Sequence, residues 1–266
     1  MDQQVIDIVK GVPNILGMIY QDLAQPSVKA VGDALGTVFE FSTSILLPLK
    51  LCNEKFKVNF AKRLNEYKDK LEAIPEEKRC KVHPQIGTPI IEKLSYTTSD
   101  EIADLFTTLL ADASNVDLSY IVHPAFITMI ERMSPDEAKI IKYIDDKTEI
   151  LFCRFNGIVK MEDTTKRGFV TLEKCVTLLP YKIQFIHPQN LEVYLSNLVS
   201  LGILSEKYGR YKDDENTYNS IVQKSDYDKL ATEYVPNEFL TIEIEKGFYE
   251  VTEFGRLFIK ACLGKK

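Results

Sequence analysis

Apolar residues recur every three or four positions through the first half of the chain, the period of helices that bury one face. Val5, Ile8, Val9, Val12, Ile15, Leu16 and Ile19 carry the pattern first, and Gly11 and Pro13 interrupt it, so residues 5–23 read as one broken or two short helices. Between Pro26 and Pro48 the charges Lys29, Asp33 and Glu40 stand alone among Val31, Leu35, Val38, Phe39, Phe41, Ile45, Leu46 and Leu47, which predicts one long, mostly buried helix over 27–47. Phe56, Phe60, Leu64, Tyr67 and Leu71 form the stripe of an amphipathic helix that ends before Pro75, its other face solvated. A short helix is expected over 89–94, after the His83-Pro84 turn. Thr98 and Glu101 form a capping box for a helix over 100–113, with Ile102, Leu105, Phe106, Leu109 and Leu110 inside. A further short helix covers 124–133, and no strand pattern appears before it.

The pattern changes beyond Asp145. Residues 150–155 and 168–172 read as short strands and 173–179 as a helix. A helix over 188–201 carries Leu191, Leu195, Leu198 and Leu201 inside and stops at Gly202, followed by Ile203 and Leu204. Leu240, Ile242 and Ile244 then alternate, and Lys246-Gly247 reads as a turn into 248–251, so a β-hairpin is expected before Thr252 caps a final helix. A helix ending in LVSLGIL, a hairpin and then YEVTEFGRLF is the tail of a winged-helix module. The expected fold is therefore mainly α: an all-helical bundle over 1–133, followed by a winged-helix-like α+β domain over 134–266 with a tyrosine-rich insertion near 206–238.

Composition narrows the function classes. A net charge of -6 argues against a whole-chain affinity for nucleic acid or anionic lipid. The five cysteines, Cys52, Cys80, Cys153, Cys175 and Cys262, never pair as C-x-x-C, so neither a disulfide framework nor a zinc ribbon is encoded, and a reducing cytoplasm is the expected compartment. The amino-terminal run lacks a basic signal region and carries Asp2 and Asp7, so it reads as part of the mature fold.

His83, His123 and His187 each precede a proline, which pushes the histidine toward extended backbone and marks a helix entry rather than a metal triad. Asp100, Glu101, Asp104, Asp136 and Glu137 lie in first helical turns, where each complements the helix dipole by ~0.3–1 kcal/mol. Phosphate-cradling glycine loops and nucleophile elbows are absent as linear motifs, so no catalytic residue, cofactor or metal is expected and the chain is not read as an enzyme. Gly32 and Gly36 make a G-x-x-x-G in the apolar helix, a spacing that lets two helices approach closely. Charges at Lys29, Asp33 and Glu40 would each cost ~2.5–3.5 kcal/mol near a bilayer centre, so membrane association of this helix is the rival reading and not the favoured one. Tyr208, Tyr211, Tyr218 and Tyr227 lie in or beside the polar insertion and suit either a protein interface or loop packing.

The most informative stretch is HPAFITMIERMSPDEAKII, beginning at His123, in which Ser134, Pro135 and Glu137 form a second capping box. Together with HPQIGTPIIEKLSYTTSDEIADLFTTLLADAS, from His83, it resembles the abortive-infection alpha family of bacterial phage-defence proteins. The resemblance covers about 27–144 and returns in LVSLGIL and YEVTEFGRLFIKAC, and its signature positions are His123, Pro124, Phe126, Ser134, Pro135, Asp136, Glu137 and Ala138. It implies a bacterial or prophage-borne protein that acts in phage defence as an effector, and the leading expectation set beside it is an interaction protein that senses or docks a phage or host protein partner. Two alternatives stand beside it: a membrane-perturbing toxin that uses the 27–47 helix, and, more remotely, a hydrolase. Sequence-specific nucleic-acid binding is not expected, and oligomeric state is not encoded.

Overall fold

A computed structural model describes residues 29–42, 54–144, 149–160, 168–235 and 239–264. The helices expected over 5–23 and at the ends of 27–47 lie outside the described residues. The chain divides into two compact units, one comprising Met1–Ala138 with Leu257–Lys266 and the other Lys139–Arg256.

The first unit is helical because its apolar stripes find one another. Helix α1 (Lys29–Ser42) buries Val31, Leu35 and Val38 and packs on α3 (Pro84–Leu94), while α2 (Glu54–Glu72) packs on α4 (Asp100–Ala113) through Phe60, Tyr67 and Leu71. The charged face of α2 is only partly solvated. Arg63 is 1% exposed, ion-paired with Asp100 and Glu66 at 2.7 Å each, and Lys70 donates to the Asp104 carboxylate and to the Thr107 and Thr108 hydroxyls. These bonds stitch α2 to the first turns of α4, so two of the carboxylates expected to serve the helix dipole are also ion-pair partners.

Two helix starts differ from expectation. Helix α3 begins at Pro84 rather than Pro89, because His83 Nδ1 accepts the Gln85 N–H and Pro84 occupies the first helical position, where its missing donor costs nothing. Pro89 therefore lies inside the helix, a placement that costs about 3 kcal/mol, offset by burial of Ile86, Ile90, Ile91 and Leu94 at roughly 1.5–3 kcal/mol each. Ser99 and not Thr98 caps α4: its hydroxyl accepts the Ile102 N–H and donates to Glu101.

Helices α5 (Pro124–Glu131) and α6 (Pro135–Tyr143) follow, and the second unit is then built on β1 (Glu149–Val159), β2 (Phe169–Thr177), β3 (Leu204–Lys207) and β4 (Phe239–Val251). They form one antiparallel sheet in the order β2-β1-β4-β3. This overturns the mainly α, winged-helix expectation. The hairpin at Lys246-Gly247 does not exist: β4 runs unbroken for 13 residues and pairs with β1 from Glu149↔Glu250 to Val159↔Phe239. Gly247 is a packing glycine and not a turn glycine, since a Cβ there would fall on the Phe152 ring, 2.7 Å from Cε1. The connection from β3 to β4 is no wing either, because it carries two helices, α9 (Glu215–Gln223) and α10 (Tyr227–Tyr234). The helix expected over 173–179 is the second half of β2 for most of its length. Glu173 pairs with Phe155 and Val176 with Cys153, and the cross-strand ladder overrides local helix propensity. The short α7 (Leu179–Lys182) begins only there.

Helices α9 and α10 cover one face of the sheet. Cys153, Phe155, Tyr218, Ile221 and Ile242 form a buried cluster with Tyr227, Leu230 and Val235 against it. Helix α8 (Leu191–Ser200) lies after a 3₁₀ turn at Pro188–Asn190, and Gly202, at φ +73°, ends it as expected. The Ile203 N–H donates to Leu198 O and the Gly202 N–H to Val199 O, the paired bonds of a Schellman stop.

Candidate functional site

The signature around His123 is a run of helix entries. His123 caps α5 by accepting the Ala125 N–H on Nδ1 at 3.1 Å, and Pro124 takes the first helical position. Phe126 is 1% exposed and meets Phe258 edge-on at 5.4 Å. The expected capping box at α6 is present in both directions: the Ser134 N–H donates to Glu137 Oε2 at 2.6 Å and the Glu137 N–H to Ser134 Oγ at 3.3 Å. Asp136 and Glu137 are buried and Pro135 opens the helix. Removing the hydroxyl in Ser134→Ala is expected to cost ~0.5–2 kcal/mol, read as a lower denaturation midpoint with an unchanged m-value.

All three His-Pro pairs stand at helix entries, His187 before the 3₁₀ turn. Among the described residues no three or more His, Cys, Asp or Glu side chains are grouped to hold a metal ion. The thiols are poor nucleophiles in these surroundings. Burial pushes Cys153 up to about 11 and Cys175 up to about 12, raises Cys262 well above the ordinary thiol range and raises Cys80 as well. Cys52 lies outside the described residues.

The two candidate interfaces resolve differently. Gly32 and Gly36 lie on α1, but a Cβ at Gly36 would meet no atom of the described residues within 4 Å. The close approach to α1 is made by Gly87 of α3, whose missing Cβ leaves room for Val38. Of the four tyrosines, Tyr218 is fully buried; its hydroxyl donates to Gly247 O at 3.1 Å and accepts the Lys212 N–H at 3.3 Å. Tyr227 packs edge-on to Phe155 at 5.3 Å. Tyr208 and Tyr211 are 44% and 66% exposed. The guanidinium of Arg154 sits 4.0 Å over the Tyr208 ring and pairs with Glu206, so this tyrosine is held in place while it faces outward.

The tail motifs LVSLGIL and YEVTEFGRLF meet at Thr252. Its N–H donates to Ile203 O, its hydroxyl donates to Gly202 O, and the same hydroxyl accepts the Gly255 N–H at 2.8 Å, which starts α11 (Glu253–Leu263).

One residue the sequence reading did not single out is Asp112. It is 7% exposed in the last turn of α4, its Oδ2 accepts no hydrogen bond from the described residues, and burial pushes its carboxyl up to about 6 against the pull of Lys70 and Lys260. A carboxylate in the C-terminal turn of a helix opposes the dipole, and that position was the available signal.

The fold thus defines an α+β protein of a helical unit and an antiparallel-sheet unit, with its recurring motifs spent on helix entries and on the Thr252 junction. The chain matches the family described as abortive infection alpha over residues 53–262, and it belongs to that family. No curated protein matches it. A solved structure of an uncharacterized protein from the hydrocarbon-degrading marine bacterium Alcanivorax borkumensis SK2 is similar at 14% identity, over 52% of this chain and 91% of that one, with a TM-score of 0.36. That likeness is too low to carry an argument. No helix among the described residues is long and apolar enough to cross a membrane.

Proposed function

We propose that the chain acts in phage defence by binding a protein partner, as sensor or effector of the infected cell's response, and not by catalysis. Membership of the abortive infection alpha family carries the reading. The raised thiols and the use of His83 and His123 as helix caps support the non-catalytic part, because they spend these nucleophiles and bases on structure. The contact surface is placed on Tyr208 and Tyr211, amphipathic rings of the kind enriched at interfaces. Cells carrying the gene are expected to show fewer plaques than cells without it for at least one phage of a broad panel. Tyr208→Ala with Tyr211→Ala should remove that protection while the melting midpoint stays put. Unchanged plaque numbers across the panel defeat the defence role; protection that survives the double substitution moves the interface elsewhere.

The same reading expects no sequence-specific DNA binding. Helix α8, which would be the recognition helix of a winged-helix module, carries Glu192 as its one charge and no lysine or arginine to meet phosphates. Micromolar, salt-sensitive binding of the full chain to duplex DNA would contradict it. The membrane-toxin alternative is not favoured, since Val31, Leu35 and Val38 of α1 are already buried within its own unit.

A further inference from the structure

A polar row crosses the sheet on the face turned away from Cys153, Phe155 and Ile242. Side chains alternate along a strand, so Arg154, Asn156 and Glu245 share that opposite face, with Thr171 of β2 paired to Asn156. The Thr171 hydroxyl donates to Asn156 Oδ1 at 3.0 Å, and Asn156 Nδ2 donates to Glu245 Oε2 at 3.2 Å. The other carboxylate oxygen, Glu245 Oε1, lies by the turn at Gly209, 3.8 Å from where a Cβ would stand. Glu245 also accepts the Tyr208 hydroxyl, which raises that phenol above the ordinary tyrosine range. Three strands thus connect, side chain by side chain, to a ring that faces outward, and the Arg154 guanidinium packs on that ring. Local preference does not ask for this arrangement. Asn156 is buried in mid-strand, where a β-branched or aromatic side chain suits the pleat better, and Arg154 Nε is buried with no partner among the described residues. Chains keep such groups where something else is gained.

We propose that Thr171 and Asn156 are positioning residues: through Glu245 they fix Tyr208 in its outward-facing place, so that the contact surface is formed before a partner arrives. This rests on the reading of Tyr208 and Tyr211 as that surface. The direction of each bond supports it. The Thr171 hydroxyl occupies the amide oxygen and so turns the amide nitrogen toward Glu245; the amide fixes the carboxylate, and the carboxylate is left to accept from the phenol. A ring held in this way gives up little freedom on binding, whereas a mobile side chain loses its rotamers at the interface.

The test reads Tyr208 itself. In the full chain Tyr208 is replaced by a tyrosine fluorinated on both sides of the hydroxyl, whose phenol ionises near neutral pH, and its titration is followed by fluorine NMR. Glu245→Gln removes the accepting charge and calibrates the largest shift. Asn156→Leu and Thr171→Val are expected to move the titration the same way, to lower pH, by about 0.3 unit or more, because a carboxylate no longer held leaves the phenol to the pull of Arg154. Thr171→Val keeps a strand-favouring shape and decides the matter if Asn156→Leu fails to fold. A residue that only stabilised the sheet would lower the melting midpoint and leave the titration where it is. In cells Thr171→Val should weaken protection by up to about tenfold, the cost of ordering one side chain on binding. The proposal is overturned if the phenol titrates alike in Thr171→Val and the parent chain, or if the titration moves while protection that depends on Tyr208 stays whole. A chain that protects against no phage, or protection that survives Tyr208→Ala with Tyr211→Ala, defeats the reading on which the proposal rests. The titration separates the two failures, since it reports the ring without any partner.

Discussion

Gly255→Val is expected to lower stability by about 3 kcal/mol or more, while Gly36→Ala is neutral or stabilises by up to about 1 kcal/mol. Both glycines lie in helices, where composition alone treats them alike. A Cβ at Gly255, however, would fall inside contact distance of the Ile203 carbonyl oxygen, a backbone atom that the Thr252 N–H already holds. No side-chain rotation relieves that overlap, so the start of α11 must move away from the Gly202–Ile203 segment, and the Thr252 hydroxyl loses its bonds to both sides. At Gly36 the added methyl meets no described atom, and the substitution gains helix propensity. Chemical denaturation of the two variants checks the contrast; equal midpoints would show that the junction at Thr252 is not rigid.

Asp112→Asn is expected to stabilise the protein near pH 7.5 by as much as ~3 kcal/mol and to do nothing near pH 4, on the scale of 1.36 kcal/mol per pKa unit. Burial raises the folded carboxyl to about 6, whereas in the unfolded chain it titrates near the ordinary ~3.9. Between these values the native state binds the extra proton, so the wild-type chain loses stability as the pH rises through roughly 4 to 6 and stays at the lower level above. The amide cannot ionise and escapes that loss. Midpoints of both proteins measured from about pH 4 to pH 8 should therefore diverge as pH rises and run parallel above ~6.5. A constant difference, or a variant that is weaker at neutral pH, would mean that Asp112 finds a donor in solution.

The sheet shows how a correct local reading produces a wrong fold. Leu240, Ile242 and Ile244 announced a strand, and a strand is there, but Lys246-Gly247 looked like a turn because glycine beside a polar residue has two meanings. Here the second applies: Gly247 makes room for Phe152 on the neighbouring strand, and only the pairing of β4 with β1 reveals which neighbour that is. The error at 173–179 has the same origin, since the residues of β2 follow the ladder to β1 rather than their own propensity. By contrast, the capping boxes and stops depend on atoms within four residues of one another. Ser134 with Glu137, Gly202 and Thr252 were therefore readable along the chain, while the start of α3 at Pro84 and the shift from Thr98 to Ser99 escaped.

The candidate residues divide along the same line. His83 and His123 declared themselves as helix entries because proline constrains the residue before it, and the structure adds only that each Nδ1 accepts the N–H two residues on. Which tyrosines of the insertion face outward was not legible: Tyr211 and Tyr218 differ by burial against Gly247 and Phe155, which lie far away in sequence.

The sequence by itself determined the starts of α5, α6 and α11 and the stop of α8, which faces of α2 and α4 are apolar, and the family to which the chain belongs, because periodicity, caps and motif residues are properties of neighbours. Tertiary structure alone decided that β4 is one strand in a four-stranded sheet, that Arg63 is buried beside Asp100, and that Asp112 is buried with no donor to its Oδ2 among the described residues. Those outcomes rest on desolvation and on the fit of side chains brought together from distant positions, and no window along the chain contains both partners.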